Sequence, residues 1–259
     1  MDLNSLFNVK DKIVLITGGS RGIGLMIATG FIANGAKVYI SSRSMDTCDK
    51  VAKELSDKGP GKAVSIPANL QHLNEVKRLA NEIKKREGTA SPKDPARVIN
   101  IGSIAGLAIP FKEGYAYSTS KAALHHLTKV MAGQLSNRQI TFNNIAPGPY
   151  LSKMSAKTLN DHGEIIRLEV PLGRIGAAED IAGTAIYLSS KAGAFTNGAT
   201  ITVDGVAKVS MINVTNSPQR GINDAKLTNP LPPTSLLSNF IATCLFIDLK
   251  ACREIDLYA

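Results

Sequence analysis

Tyr117 and Lys121, in YAYSTSKAALHHLTK, stand four residues apart, and Ser103 follows the apolar run RVINIG upstream of them. On a helix a spacing of four puts both side chains on one face. A free phenol ionises near pH of about 10, so a tyrosine that is to exchange protons at neutral pH needs a cation beside it. Lys121 supplies one. A serine hydroxyl next to such a pair can hydrogen-bond a carbonyl oxygen and stabilise the charge that develops there. The three residue types together fit proton exchange with a carbonyl or alcohol oxygen, although a Tyr and a Lys at this spacing also describe an ordinary solvated helix face.

A second motif supplies the missing half of such chemistry. Thr17-Gly18-Gly19-Ser20-Arg21-Gly22-Ile23-Gly24 lies between a continuously apolar run, KIVLIT, and a helical pattern, GIGLMIATGFIA. Glycines at a strand-to-helix turn let the backbone approach a pyrophosphate at the positive helix N-terminus, which makes Gly18, Ser20, Arg21, Gly22, Ile23 and Gly24 candidate dinucleotide contacts. A plain structural turn is the alternative. The next strand ends Ser41-Ser42-Arg43, where an NAD-binding chain generally carries an acidic residue. A carboxylate there would repel a 2′-phosphate, whereas Arg43, joined by Arg21, can accept it through charge-assisted hydrogen bonds. The expected cofactor is therefore NADP(H), unless Arg43 is simply an exposed surface arginine.

These residues need a scaffold that brings them together. Strand patterns at 12–17, 36–42, 63–68, 97–102, 140–146 and 199–204 alternate with helical patterns at 22–33, 45–57, 74–86, 116–136 and 178–189. Such alternation predicts parallel βαβ units, with strand runs apolar on both faces because helices cover both sides. The expected fold is α/β, a Rossmann-like doubly wound parallel sheet in one domain over residues 1–205. Residues 206–259 are rich in turn formers and hold no sustained period of 2 or 3.6, so this tail is expected to be poorly ordered or only partly packed.

The chain has 259 residues, 44% hydrophobic and 20% charged, enough to bury one sizeable core. Its net charge of +9 is spread along helices with no basic, aromatic-interleaved stripe, which argues against nucleic acid and for anionic small molecules. Cys48, Cys244 and Cys252 lack the spacing of a zinc site or disulfide framework, and His125 and His126, being adjacent, face different directions and make no same-face metal pair. No metal is expected, and both histidines read as packing or surface residues. The first residues show no secretory pattern, the apolar stretch at 236–249 is too short to span a bilayer, and the expected compartment is the cytosol. Without a secretory signal the sequon at Asn213 is idle.

Taken together, TGGSRGIG, INIGSIAG, YAYSTSKAALHHLTK, IAPGPYLSKM, PLGRIGAAEDIAGTAIYLSS and TITVDG resemble the short-chain dehydrogenase/reductase family. The similarity is to its NADP-dependent 3-oxoacyl and ketone reductases, the rhamnolipid-biosynthesis branch included, and spans residues 8–205 apart from one interruption. The resemblance implies that Tyr117 is the general acid when a ketone is reduced, that Lys121 holds the nicotinamide ribose while tuning Tyr117, and that Ser103 orients the carbonyl. It places Asn69 and Leu70, in PANL, beside the adenine, with Asn69 where the family usually has aspartate. Pro147, Gly148 and Ser152 match its turn beside the nicotinamide. The implied partner is a small carbonyl or alcohol substrate, with no nucleic acid and no membrane.

One junction departs from that pattern. Between the third helix and the strand before Ser103 the family inserts a further strand, ending in an Asn-Asn-Ala-Gly motif, and a helix holding a catalytic asparagine. Residues 88–96 are too few for a strand and its crossover helix. The sheet is expected to lack one central strand, leaving backbone donors of both neighbours unpaired unless it closes up. The family forms homo-oligomers, and the missing helix commonly contributes to their interface, so assembly is not expected to carry over unchanged. A skipped exon near Thr89 would account for this junction, and a retained intron after Lys208 for the aperiodic tail. The alternative to a working reductase is then an impaired variant that at most binds nucleotide or a full-length subunit.

Overall fold

The computed structural model describes residues 2–87, 95–109, 114–152 and 170–207 in full and residues 245–248 by their backbone. After a short helix α1 (Leu3–Leu6), capped by the Asp2 carboxylate, the chain runs β1 (Ile13–Thr17), α2 (Gly22–Ala33), β2 (Lys37–Ser41), α3 (Met45–Ser56), β3 (Lys62–Ser65) and α4 (Leu73–Glu87). It continues with β4 (Ala96–Ile101), α5 (Tyr115–Leu135), β5 (Ile140–Pro147), α6 (Ala178–Ser189) and β6 (Thr200–Val203). A 3-10 turn, Ile104–Gly106, follows β4.

Strands β1 to β6 pair in parallel, as the alternating pattern predicts. Successive residues of a strand face opposite sides, so β1 serves two layers at once. Val14 and Ile16 pack with Ile27, Phe31 and Ile32 of α2, Leu55 of α3 and Ile181, Ala185 and Leu188 of α6. Ile13 and Leu15 pack on the other face against Leu79 and Ile83 of α4. Val98 and Phe142, farther along that same sheet, meet Ala132 of α5. Helices thus cover both faces, which is why β1, β4 and β5 are buried at every position. The expected strand at 63–68 ends at Ser65; Ile66 and Ala68 still donate to the Ile40 and Ser42 carbonyls, but their segment already turns toward α4.

The junction flagged in the sequence has a specific outcome. A seventh strand, β7 (Leu245–Asp248), stands between β1 and β4, giving the order β3-β2-β1-β7-β4-β5-β6. It is antiparallel to both neighbours, pairing with Val14, Leu15 and Ile16 on one side and Val98, Ile99 and Asn100 on the other. The sheet is therefore mixed rather than wholly parallel, and it keeps its full width. The slot is not closed by β1 meeting β4; four residues of the tail fill it. A crossover helix is what a parallel strand in that slot would need, and none lies over β7 between α4 and α5 among the described residues. No helix among the described residues is long and apolar enough to cross a membrane. Asn213, Cys244 and Cys252 lie outside the described residues; Cys48 is a buried free thiol.

Candidate active site

The parallel strands all point their C-terminal ends at one rim, where ligands of open α/β sheets bind. The glycine loop follows β1, Arg43 follows β2, Ser103 follows β4 and the Pro147-Gly148 turn ends β5. Gly18 and Gly22 have φ of 71° and 53°, in the left-handed region that a Cβ disfavours. A Cβ on Gly24 would lie 2.5 Å from the Gly18 carbonyl oxygen, so the loop folds onto the start of α2 with no side chain between. That is the cradle a diphosphate requires: backbone N–H groups at a helix N-terminus with room for close approach. The residues present fit a dinucleotide. Arg21, the residue preceding α2, is exposed, Ser20 is buried beneath it and Ile23 packs against the core.

Arg43 is exposed beyond the end of β2, and the Ala68 N–H donating to the Ser42 carbonyl brings Asn69 to the same rim. The Asn69 side chain accepts from the Gln71 N–H at 3.2 Å, and Leu70 packs on the Ile66–Leu79 cluster. On the opposite side, Ser152 reaches the glycine loop: a Cβ on Gly22 would stand 3.4 Å from the Ser152 Cβ. Gly148 donates to the Val203 carbonyl at 3.1 Å and has no room for a side chain against Asp204, so the turn after β5 is pinned to the end of β6. Below it the Tyr150 phenol is held well above its ordinary range by burial, and Arg174 forms a two-bond ion pair with Asp180 at 2.6 and 2.9 Å.

Ser103 ends the segment leaving β4 and caps the 3-10 turn, its hydroxyl accepting the Ala105 N–H at 3.2 Å. Tyr117 and Lys121 occupy the first two turns of α5, both half-buried. The Lys121 Nζ donates to the Ile101 carbonyl at 2.9 Å and lies 5.7 Å from the centre of the Tyr117 ring. The predicted stacking of amine and phenol on one helix face is what the structure shows. The turn carrying Ser103 packs tightly on that helix, since a Cβ on Gly106 would stand 3.0 Å from the Lys121 Cβ. Hence the strand end bearing Ser103 and the helix bearing Tyr117 and Lys121 are in direct contact.

One residue that sequence reasoning set aside belongs to this arrangement. His125, read above as a packing or surface residue, is 5% exposed, and its Nε2 accepts the Ser103 backbone N–H at 3.4 Å. Burial, with help from Lys121 and Lys129, pushes its imidazole down to about 4. Its spacing of four from Lys121 was the available signal. His126 is exposed, and no group of metal-ligating side chains occurs among the described residues. A cavity of about 560 Å³ lies between α3 and β3, lined by Lys37, Tyr39, Lys53, Lys62 and Arg86 among others, and includes none of the candidate site residues.

Residues 12–91 match the family model described as short chain dehydrogenase, and residues 87–205 match the one described as Enoyl-(Acyl carrier protein) reductase. The chain is 35% identical to the rhamnolipids biosynthesis 3-oxoacyl-[acyl-carrier-protein] reductase of Pseudomonas aeruginosa over 254 aligned positions, covering 78% of this chain and 98% of the relative. It is 32% identical to the short-chain dehydrogenase/reductase PhomF of Diaporthe leptostromiformis, over 77% of this chain and 92% of that one. Among solved structures, the Pseudomonas aeruginosa RhlG/NADP active-site complex superposes with a TM-score of 0.74 at 34% identity, over 80% of this chain and 100% of that one. Since 254 aligned positions take up only 78% of a 259-residue chain, the Pseudomonas relative carries roughly 50 residues where this chain has none, more than a strand and its crossover helix require. The glycine loop, the Ser103, Tyr117 and Lys121 set and the superposition agree: this chain belongs to the short-chain dehydrogenase/reductase family.

Proposed function

We propose that this chain is an NADP(H)-dependent reductase that converts a ketone of 3-oxoacyl type to a secondary alcohol. The observation that carries the reading is the stacking of the Lys121 ammonium over the Tyr117 ring, in a helix packed directly on the turn that bears Ser103. Gly18, Ser20, Arg21, Gly22, Ile23 and Gly24 would hold the diphosphate, with Asn69 and Leu70 toward the adenine and Pro147, Gly148 and Ser152 beside the nicotinamide. Arg43 and Arg21 are the cations available to a 2′-phosphate, which favours NADP(H) over NAD(H). When bound, the dinucleotide supplies the hydride for the carbonyl carbon.

The protein's own residues do the rest. Ser103 donates its hydroxyl hydrogen to the carbonyl oxygen, polarising the bond and stabilising charge that builds there. Tyr117 delivers a proton to that oxygen as the alcohol forms. Lys121, held by the Ile101 carbonyl, keeps a positive charge beside the phenolate left behind. Because that carbonyl comes from β4, the position of the ammonium is set by the sheet as well as by α5.

A second reading has its own observation. The family's asparagine-bearing helix has no counterpart among the described residues, and an antiparallel strand stands where its preceding parallel strand would be. On this reading the chain binds NADPH without turning over. Purified protein assayed for NADPH oxidation with acetoacetyl thioesters and simple diketones separates the two: turnover supports the reductase, and tight NADPH binding with none supports the second reading.

A further inference from the structure

The segment Ile101-Gly102-Ser103 leaves the sheet and carries Ser103 to the site. Two side chains of α5, four residues apart, grip it from one face. Lys121 donates to the carbonyl at its start, Ile101, at 2.9 Å, and His125 accepts the N–H at its end, Ser103, at 3.4 Å. Tyr117 completes the row, so positions 117, 121 and 125 share one stripe of the helix. Gly102, between the two grips, has no space for a side chain: a Cβ there would stand 2.0 Å from the His125 Nε2 and 2.8 Å from the Asn144 Oδ1. The backbone therefore runs directly against the imidazole.

We infer that His125 is a positioning residue: by accepting the Ser103 N–H it locks the segment that carries the Ser103 hydroxyl to the helix that carries Tyr117 and Lys121. The inference rests on the reductase reading above and adds a residue to it. An acceptor at Nε2 requires the neutral ring with its proton on Nδ1. That Nδ1 is buried and has no hydrogen-bond partner among the described residues, and the same holds for both amide atoms of the adjacent, fully buried Asn144. The surroundings of the ring also disfavour its charged form. Lys121 and Lys129 flank it on α5, while β5 and the 3-10 turn packed against that helix contain no ionisable side chain and β4 contributes only the cation of Arg97.

The test compares His125→Leu, which removes the acceptor, with His125→Gln, whose side-chain oxygen can replace it. The expected result is a fall in kcat of about 10- to 100-fold in His125→Leu with NADPH affinity unchanged, and recovery of most of it in His125→Gln. Equal kcat in all three proteins, or a loss in His125→Leu that His125→Gln shares, overturns the inference. Nitrogen-15 spectra of the wild-type histidines give a readout that needs neither turnover nor a folded variant. A His125 ring protonated on Nδ1 alone at neutral pH supports the contact, and one protonated on Nε2 or on both nitrogens overturns it. A wild type that binds NADPH but reduces no ketone refutes the reductase reading, while these spectra still decide where His125 stands.

Discussion

Removing residues 208–259 takes β7 out of the sheet, and the cost follows from its register. Val14, Leu15 and Ile16 of β1 and Val98, Ile99 and Asn100 of β4 all pair with it, and all six are buried. Three residue pairs on each side correspond to roughly six ladder hydrogen bonds, worth about 1 kcal/mol each net, and about 1–3 kcal/mol for every group left buried without a partner. The loss is then on the order of 6 kcal/mol or more, against a total stability of about 5–15 kcal/mol for a domain. Urea unfolding followed by circular dichroism is the assay. The 1–207 chain is expected to show a much lower midpoint or no cooperative transition, and a synthetic peptide spanning residues 243–250 is expected to restore part of it. A 1–207 chain with the midpoint and slope of the full protein would refute the reasoning, because β1 and β4 would then pair directly and the tail strand would be dispensable.

Three further outcomes are expected. Arg43→Ala should weaken NADPH binding by roughly 10- to 100-fold, the worth of charge-assisted hydrogen bonds to a phosphate, and leave NADH binding unchanged; parallel titrations with the two nucleotides check this. Gly24→Ala should abolish nucleotide binding while the protein still folds, since its Cβ would meet the Gly18 carbonyl oxygen at 2.5 Å; calorimetric titration alongside a thermal melt reads both. His125 sits at about 4 in the folded chain against an ordinary 6.5, so as pH falls the unfolded state takes up its proton first. The stability this provides is complete above about pH 6.5 and is lost between there and about 4, by roughly 3 kcal/mol, and urea midpoints across that range should fall less steeply in His125→Gln.

Much of the scaffold could be read from local signals. Ile13, Val14, Leu15 and Ile16 are apolar without alternation because both faces of β1 are covered, and α2 and α6 have the bounds their periodicity predicts. The stacking of Tyr117 and Lys121 follows from helical geometry alone. What could not be read depends on distant partners. LFID, residues 245–248, is three apolar residues and an aspartate in a turn-rich tail, and only the open ladders of β1 and β4 make it a strand. Its antiparallel direction lies equally beyond any local pattern. His125 was passed over because two adjacent histidines pose the question of a metal; its partner, the Ser103 N–H, is 22 residues away in sequence. The short α1 depends on one Asp2 cap and carries no periodic signal of its own.

The central claim is that Tyr117 delivers the proton in a reaction driven by NADPH. The most direct measurement is the rate of NADPH consumption with an acetoacetyl thioester, for the full-length chain and for Tyr117→Phe. The account predicts steady turnover by the first and a loss of about 10²- to 10⁴-fold in the second with NADPH affinity retained. Equal rates in the two proteins would contradict it.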